Sequence, residues 1–274
     1  MNTLKESVMI VNLTISQWSA RKFDRTATKE VEAAHQAREA GRFNKVLMQS
    51  DTLTKIGKSA NQIRMYHYEN TLPWGDNGDR ILPTEKYFTY VAQVGMMKLD
   101  FTNLVDQFIS EYVEEKENSK RNLNTLYNEA DYPQPKSIKK KFDVGVGFMP
   151  IAEGNDLRVN MSDEVINTIK SQITRELEKR VEGATNEMLE RLRTAVAHMA
   201  ETLAEPGKVF RDSLVGNIRG LIEDLPLLNF NNDKRVTDAI KYCETLCVDP
   251  EELRCKRRFR MEIAEKAKQI LANI

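Results

Sequence analysis

The sequence predicts a mainly α protein: an elongated helical bundle of long helices carrying a small antiparallel β-sheet. Three observations predict it. Glycine (12) and proline (8) are scarce in 274 residues, which favours uninterrupted helices over a turn-rich sheet protein. Two long segments repeat apolar residues every three or four positions. Strand-like patterning is confined to the N-terminus and to a stretch near the middle.

Residues 7 to 16 alternate, with Met9, Val11, Leu13 and Ile15 on one face and Val8, Ile10, Asn12 and Thr14 on the other. Both faces begin apolar, so this strand is expected to be covered. From Ser19 to about Met48 the composition turns to Ala, Glu, Lys and Arg and reads as helix, with Gly41 as a break. A second helix is expected from about Asp51 to Glu69. It ends in "TLPWGDNGDRILP", residues 71 to 83, read as a loop bracketed by two prolines.

Thr84 is placed to cap the next helix. Tyr87, Val91, Val94, Met97, Phe101, Val105, Phe108 and Tyr112 form one apolar stripe along it. "DYPQP" ends it, because each proline removes a donor and restricts the residue before it. Residues 142 to 161 then read as a hairpin, with strands at 142 to 151 and 157 to 161 around Glu153-Gly154-Asn155-Asp156. With the N-terminal strand this makes a three-stranded sheet.

The most regular segment follows. Ser162 with Asp163 and Glu164 suits a helix start. Ile169, Ile173, Leu177, Val181, Ala184, Met188, Leu192, Val196, Met199 and Leu203 recur at a mean step slightly above 3.6. At 1.5 Å per residue this helix would run roughly 65 Å, so it needs a partner along its length. The stripes at 87 to 112 and 169 to 203 are therefore expected to pack on each other or on a second copy. Pro206-Gly207 closes the segment. Shorter helices are expected at about 208 to 223 and 232 to 247, and a last one from Asp249-Pro250. The chain reads as one domain over 1–274, divisible into a long-helix and hairpin region, 1–205, and a short-helix region, 206–274.

Forty-one basic and 41 acidic side chains cancel, so no global field steers the protein to nucleic acid or membrane. No segment has the length and apolarity of a membrane span, and no signal peptide is evident. Three cysteines make no disulfide framework and point to the cytoplasm. Cys243, Cys247 and Cys255 lack a fourth zinc ligand, and His35, His67 and His198 sit apart from acids at ligand spacing. "GVG" at 145 to 147 lacks the third glycine of a dinucleotide fingerprint, and Walker A, H-E-x-x-H and G-x-S-x-G are absent. Neither a metal nor a cofactor is expected.

Four functional readings follow. The loop at 71 to 83 is a turn pinned by Trp74 and an Asp–Arg80 pair, or a partner-binding loop presenting Trp74, Asp76, Asp79 and Arg80. An enzyme would need Asp76 or Asp79 in a cleft with other polar groups. Lys136, Lys139, Lys140 and Lys141, with Lys256, Arg257, Arg258 and Arg260 around Phe259, would bind nucleic acid if they converged. The apolar "VGVGFMPIA" also raises a pore-forming tongue, against which stand the adjacent lysines and Asp143.

Several stretches together carry a family likeness: "NLTISQWSARKFDRTATKEV", "AGRFNKVLM", "YHYENTLPWGDNGDRILP", "DYPQP" and "GNDLRV". They resemble an uncharacterised domain family of bacteriophages and bacteria, encoded beside MoxR/CobS-type AAA+ ATPases and CobT-like von Willebrand factor A-type proteins. The likeness covers about the first 160 residues and supplies no catalytic residues. It implies an accessory protein of the bacterial or phage-infected cytoplasm, working beside such an ATPase or von Willebrand A-type protein. The leading expectation is thus a non-enzymatic, homo-oligomeric assembly or adaptor protein; the alternative is nucleic-acid binding through the two basic clusters.

Overall fold

A computed structural model describes residues 4–75, 77–157, 161–205 and 207–274. It is mainly α with long helices and a small antiparallel sheet. In chain order the elements are α1 (Leu4–Ser7), β1 (Val8–Ser16), β2 (Arg21–Phe23), α2 (Arg25–Ala34), β3 (Asn44–Val46) and α3 (Asp51–Glu69). Then come β4 (Leu72–Pro73), β5 (Arg80–Pro83), α4 (Tyr87–Leu123), α5 (Pro135–Lys139) and β6 (Asp143–Met149). The chain closes with α6 (Asp163–Ala204), α7 (Ser213–Leu228), α8 (Lys234–Glu244), α9 (Pro250–Cys255) and α10 (Arg257–Leu271).

The main sheet has the order β4-β5-β1-β6, one strand more than expected. The extra strands come from the segment read as a loop. β4 and β5 pair antiparallel, Leu72 opposite Ile81, and β5 continues onto β1 with Ile10 opposite Ile81. β6 fills the expected place beside β1. Of the return strand expected at 157–161, residues 158–160 lie outside the described residues and Leu157 and Met161 are not in a strand; a 3-10 turn at Gly154–Asp156 precedes it.

The segment from 19 to 48 is not one helix. β2 and β3 form their own two-stranded sheet, with Lys22 opposite Lys45, and α2 lies between them. Asp24 starts α2 by accepting a hydrogen bond from the Ala27 amide, and Gln36 and Glu39, both at positive φ, lie just beyond its end. The charge-rich composition that suggested helix instead builds an ion cluster. The buried Lys45 ammonium lies 2.7 Å from Asp131, 3.1 Å from Asp24 and donates to the Leu126 carbonyl, while Lys22 reaches the other Asp131 oxygen. Burial alone would push the Asp131 carboxyl up, but hydrogen bonds from Lys22 and Lys45 outweigh it and hold it below its ordinary value.

Two compact units divide the chain. The first comprises Met1–Asn12, His67–Tyr90 and Gly147–Ile274, so the chain enters it three times. The second comprises Leu13–Tyr66 and Val91–Val146. In the first unit the later part of the α6 stripe is the core: Ala184, Met188, Leu192, Val196 and Met199 are fully buried against α7, α8 and α10. The earlier part, Ile169, Ile173, Leu177 and Val181, is only half-buried. α7 runs to Leu228, five residues past the expected end, because Pro226 falls in the last turn after the helix is established.

In the second unit α4 contributes Phe101, Val105, Phe108 and Tyr112, packed with Trp18, Ile56, Ile63 and Phe142. Trp18, Phe108, Tyr112 and Phe142 meet edge-on or tilted, with ring centroids 5.9–6.1 Å apart. Each apolar stripe thus enters the core of its own unit. Val91 departs from the expected stripe, being 39% exposed, and Tyr90 takes its place inward. Thr84 does not cap α4; a 3-10 turn at Thr84–Lys86 leads into it, and the Thr84 hydroxyl donates to the Glu6 and Ser7 carbonyls. Asp249 and Pro250 start α9 as expected, the carboxylate accepting from the Glu251 amide, but the single last helix expected there is broken at Lys256 into α9 and α10.

Replacing Asp131 with alanine leaves Lys45 buried with Asp24 as its one remaining carboxylate. It should lower the unfolding free energy measured in urea by about 3 kcal/mol. Lys22→Ala, at the exposed side of the same cluster, should cost less than about 1 kcal/mol.

Candidate functional site

The segment 71 to 83 is a tight hairpin whose tip is set by backbone bonds. The Trp74 and Gly75 amides both donate to the Asp79 carbonyl, at 2.9 and 3.3 Å, and Gly78 supplies a φ of +84°. Trp74 is buried in the first unit's core beside Leu72 and Ile81, so it pins the turn from inside. Asp76 lies outside the described residues. Asp79 is half-buried, and no ion pair joins it to Arg80 among the described residues.

Arg80 turns back instead. Its Nε donates to the Thr71 hydroxyl (2.7 Å), one terminal nitrogen to the Thr71 carbonyl (2.8 Å), and the guanidinium lies 4.9 Å from the Tyr68 ring centre. Thr71 in turn donates to the His67 carbonyl at 2.5 Å. From α6, Arg191 donates to the carbonyls of Tyr68, Glu69 and Thr71 at 2.8–3.0 Å. These contacts answer a fixed need. The last carbonyls of α3 have no partner within the helix, and a cation suits the negative end of the helix dipole.

Below this closure lies a buried polar layer. The His67 Nδ1 is 2.7 Å from the Tyr90 hydroxyl. Burial, reinforced by the Arg80 charge, pulls the His67 pKa down to about 4, so the imidazole is neutral at physiological pH. Lys86 is also buried, its ammonium has no hydrogen-bond partner among the described residues, and the Asp224 carboxylate stands 3.9 Å away. Burial lowers the Lys86 pKa; Asp224 opposes that shift and Arg191 adds to it. Arg80 is likewise held below the ordinary arginine value by burial and by Arg191.

An open cleft of about 880 Å³ lies over this layer, lined among others by Tyr68, Arg80, Arg191, His198, Asn217 and Asp224. Its two arginines are spent on backbone carbonyls, and no nucleophile in it is bonded to a base. Asp79 does not line it. Among the described residues no group of three His, Cys, Asp or Glu side chains is placed to hold a metal. Burial pushes the Cys243 thiol up to about 12, Cys247 is raised by the same cause, and Cys255 is exposed. The geometry holds a helix end together.

The basic clusters lie in different units. Lys136, Lys139, Lys140 and Lys141 are exposed around α5 in the second, where Lys139 pairs with Asp106. In the first, Lys256 pairs with Glu252 and Arg258 with Glu262, while Arg257 is exposed. Arg260 caps the C-terminus of α6, donating to the carbonyls of Thr202, Leu203, Glu205 and Lys208 at 2.9–3.0 Å. Phe259 is half-buried against the first unit's core, which withdraws it from base stacking. Sequence reasoning missed the roles of Arg191 and Arg260, since each reaches carbonyls far away in the chain.

Two expectations follow. Arg260→Ala should destabilise the protein by about 2–4 kcal/mol, whereas Arg257→Ala should change urea stability by no more than about 0.5 kcal/mol. For His67, the folded-state pKa lies below the unfolded value of 6.5, so the unfolded chain binds the proton first. Its contribution is complete above pH 6.5 and is lost as pH falls towards 4, by about 3 kcal/mol in all. Urea titrations across that window should show a steeper loss for the native chain than for His67→Gln. Compared with known proteins, the chain matches no protein-family model, and no curated protein or solved structure is significantly similar to it.

Proposed function

We propose that this chain is a non-enzymatic assembly protein that self-associates through its long helices. One observation carries the reading: α4 has a second apolar face that no described residue covers. Phe88 is 81% exposed, Leu99 61% and Met96 57%, on a helix whose other side is core. An apolar stripe of this length is expected to find a protein surface. The half-buried ridge on the early part of α6 supports the same reading, because helices that outrun their core gain by lateral packing.

The family resemblance of the first 160 residues supports an AAA+ ATPase or von Willebrand A-type protein as a further partner. The cytoplasm is the compartment we assign, supported by three free cysteines. No helix among the described residues is long and apolar enough to cross a membrane. Nucleic-acid binding is the weaker reading, because Lys139, Lys256, Arg258 and Arg260 already have partners within the chain.

Light scattering over a concentration series tests the proposal. The mass should rise above that of one 31.5 kDa chain, and a strict monomer throughout would overturn the reading.

A further inference from the structure

The exposed face of α4 has a spacing that says what covers it. At 3.6 residues per turn, Phe88, Val91, Ala92, Gly95, Met96 and Leu99 fall within an arc of about 140°. All six are exposed, and a Cβ added at Gly95 would meet nothing within 4 Å. The buried Tyr90, Val94, Phe101 and Val105 lie on the opposite side.

Read from either end, the intervals between the six are the same, and the residue sizes mirror as well: large, large, small, small, large, large. A face that mirrors in this way is matched to its own copy about a two-fold axis, where each residue i meets residue j and each j meets i. From this we infer that α4 pairs antiparallel with α4 of a second copy, about an axis midway between Ala92 and Gly95. Phe88 then packs on the partner's Leu99 and Val91 on the partner's Met96. Ala92 meets the partner's Gly95, where the small side chains let the two backbones approach.

Charge selects the same direction. No charged residue occurs on the arc between Glu85 and Asp106. A parallel pair would set Glu85 against Glu85 and Asp106 against Asp106. The antiparallel pair sets Glu85 against Thr102 and carries Asp106 beyond the end of the other helix, where Lys139 of its own chain neutralises it. Six residues a side fall short of the roughly 20–30 of a standard stable interface, so the dimer is a weak one unless other surfaces join it.

This inference rests on the assembly reading, and two measurements separate their failures. Sedimentation equilibrium compares the native chain with Met96→Glu/Leu99→Glu, whose sites are exposed and whose unchanged melting curve verifies folding. The native chain should associate, and the variant should do so at least tenfold more weakly. A Val91→Cys/Met96→Cys variant, in a Cys247→Ser/Cys255→Ser background, should give a disulfide-linked dimer that neither single cysteine substitution gives. Association unaffected by the glutamates overturns the α4 pairing and leaves the assembly reading standing. A native chain that stays monomeric overturns both. Cross-linking by the single substitutions overturns the antiparallel register.

Discussion

A helix stays in place only where something covers its apolar side, and two helices here are longer than the cores they enter. α6 has 42 residues and α4 has 37. Isolated helices draw little stability from propensity alone, so each depends on the packed part of its length. In α6 that part begins at Ala184, where Met188, Leu192 and Val196 are closed off by α7, α8 and α10. Phe101 to Tyr112 play the same role for α4, held by Trp18, α3 and Phe142. The stretches beyond those cores carry the open and half-open apolar faces. The features that suggest association are thus a direct result of how far the helices extend.

The ends of the helices impose a second requirement, and the chain meets it with arginines. Every α-helix leaves its last carbonyls unpaired. Thr71, just past the helix end, and Arg191 close α3, and Arg260 closes α6, both arginines being drawn from a distant part of the sequence. The flexible stem and forked head of arginine suit this work, since one side chain reaches several carbonyls at once. The cluster of cations under the 71–83 hairpin is explained in this way for Arg80 and Arg191. Lys86, buried with no hydrogen-bond acceptor among the described residues, has no such task.

What was legible in the sequence was the local pattern. The stripes of α4 and α6 are helical periodicities written in consecutive residues, and Asp249-Pro250 announces a helix start within three positions. What was not legible depends on partners far away. Arg21 to Phe23 becomes a strand because Asn44 to Val46 pairs with it and Lys45 finds Asp131. Leu72 and Ile81 look like loop residues until β1 is laid beside them. The palindromic face of α4 was present in the sequence all along. It was obscured because a single stripe, with Val91 wrongly included, accounted for the helix well enough.

The interleaving of the two units has a consequence for synthesis. The second unit draws on residues 13–66 and 91–146, so all its parts have left the ribosome while the long C-terminal helices are still being translated. Residues 67–90 emerge before that moment with β1 already there to pair with β5, but most of their core partners follow with α6 and α7. Until those helices appear, Leu72, Trp74 and Ile81 lack most of the cover they have in the finished core.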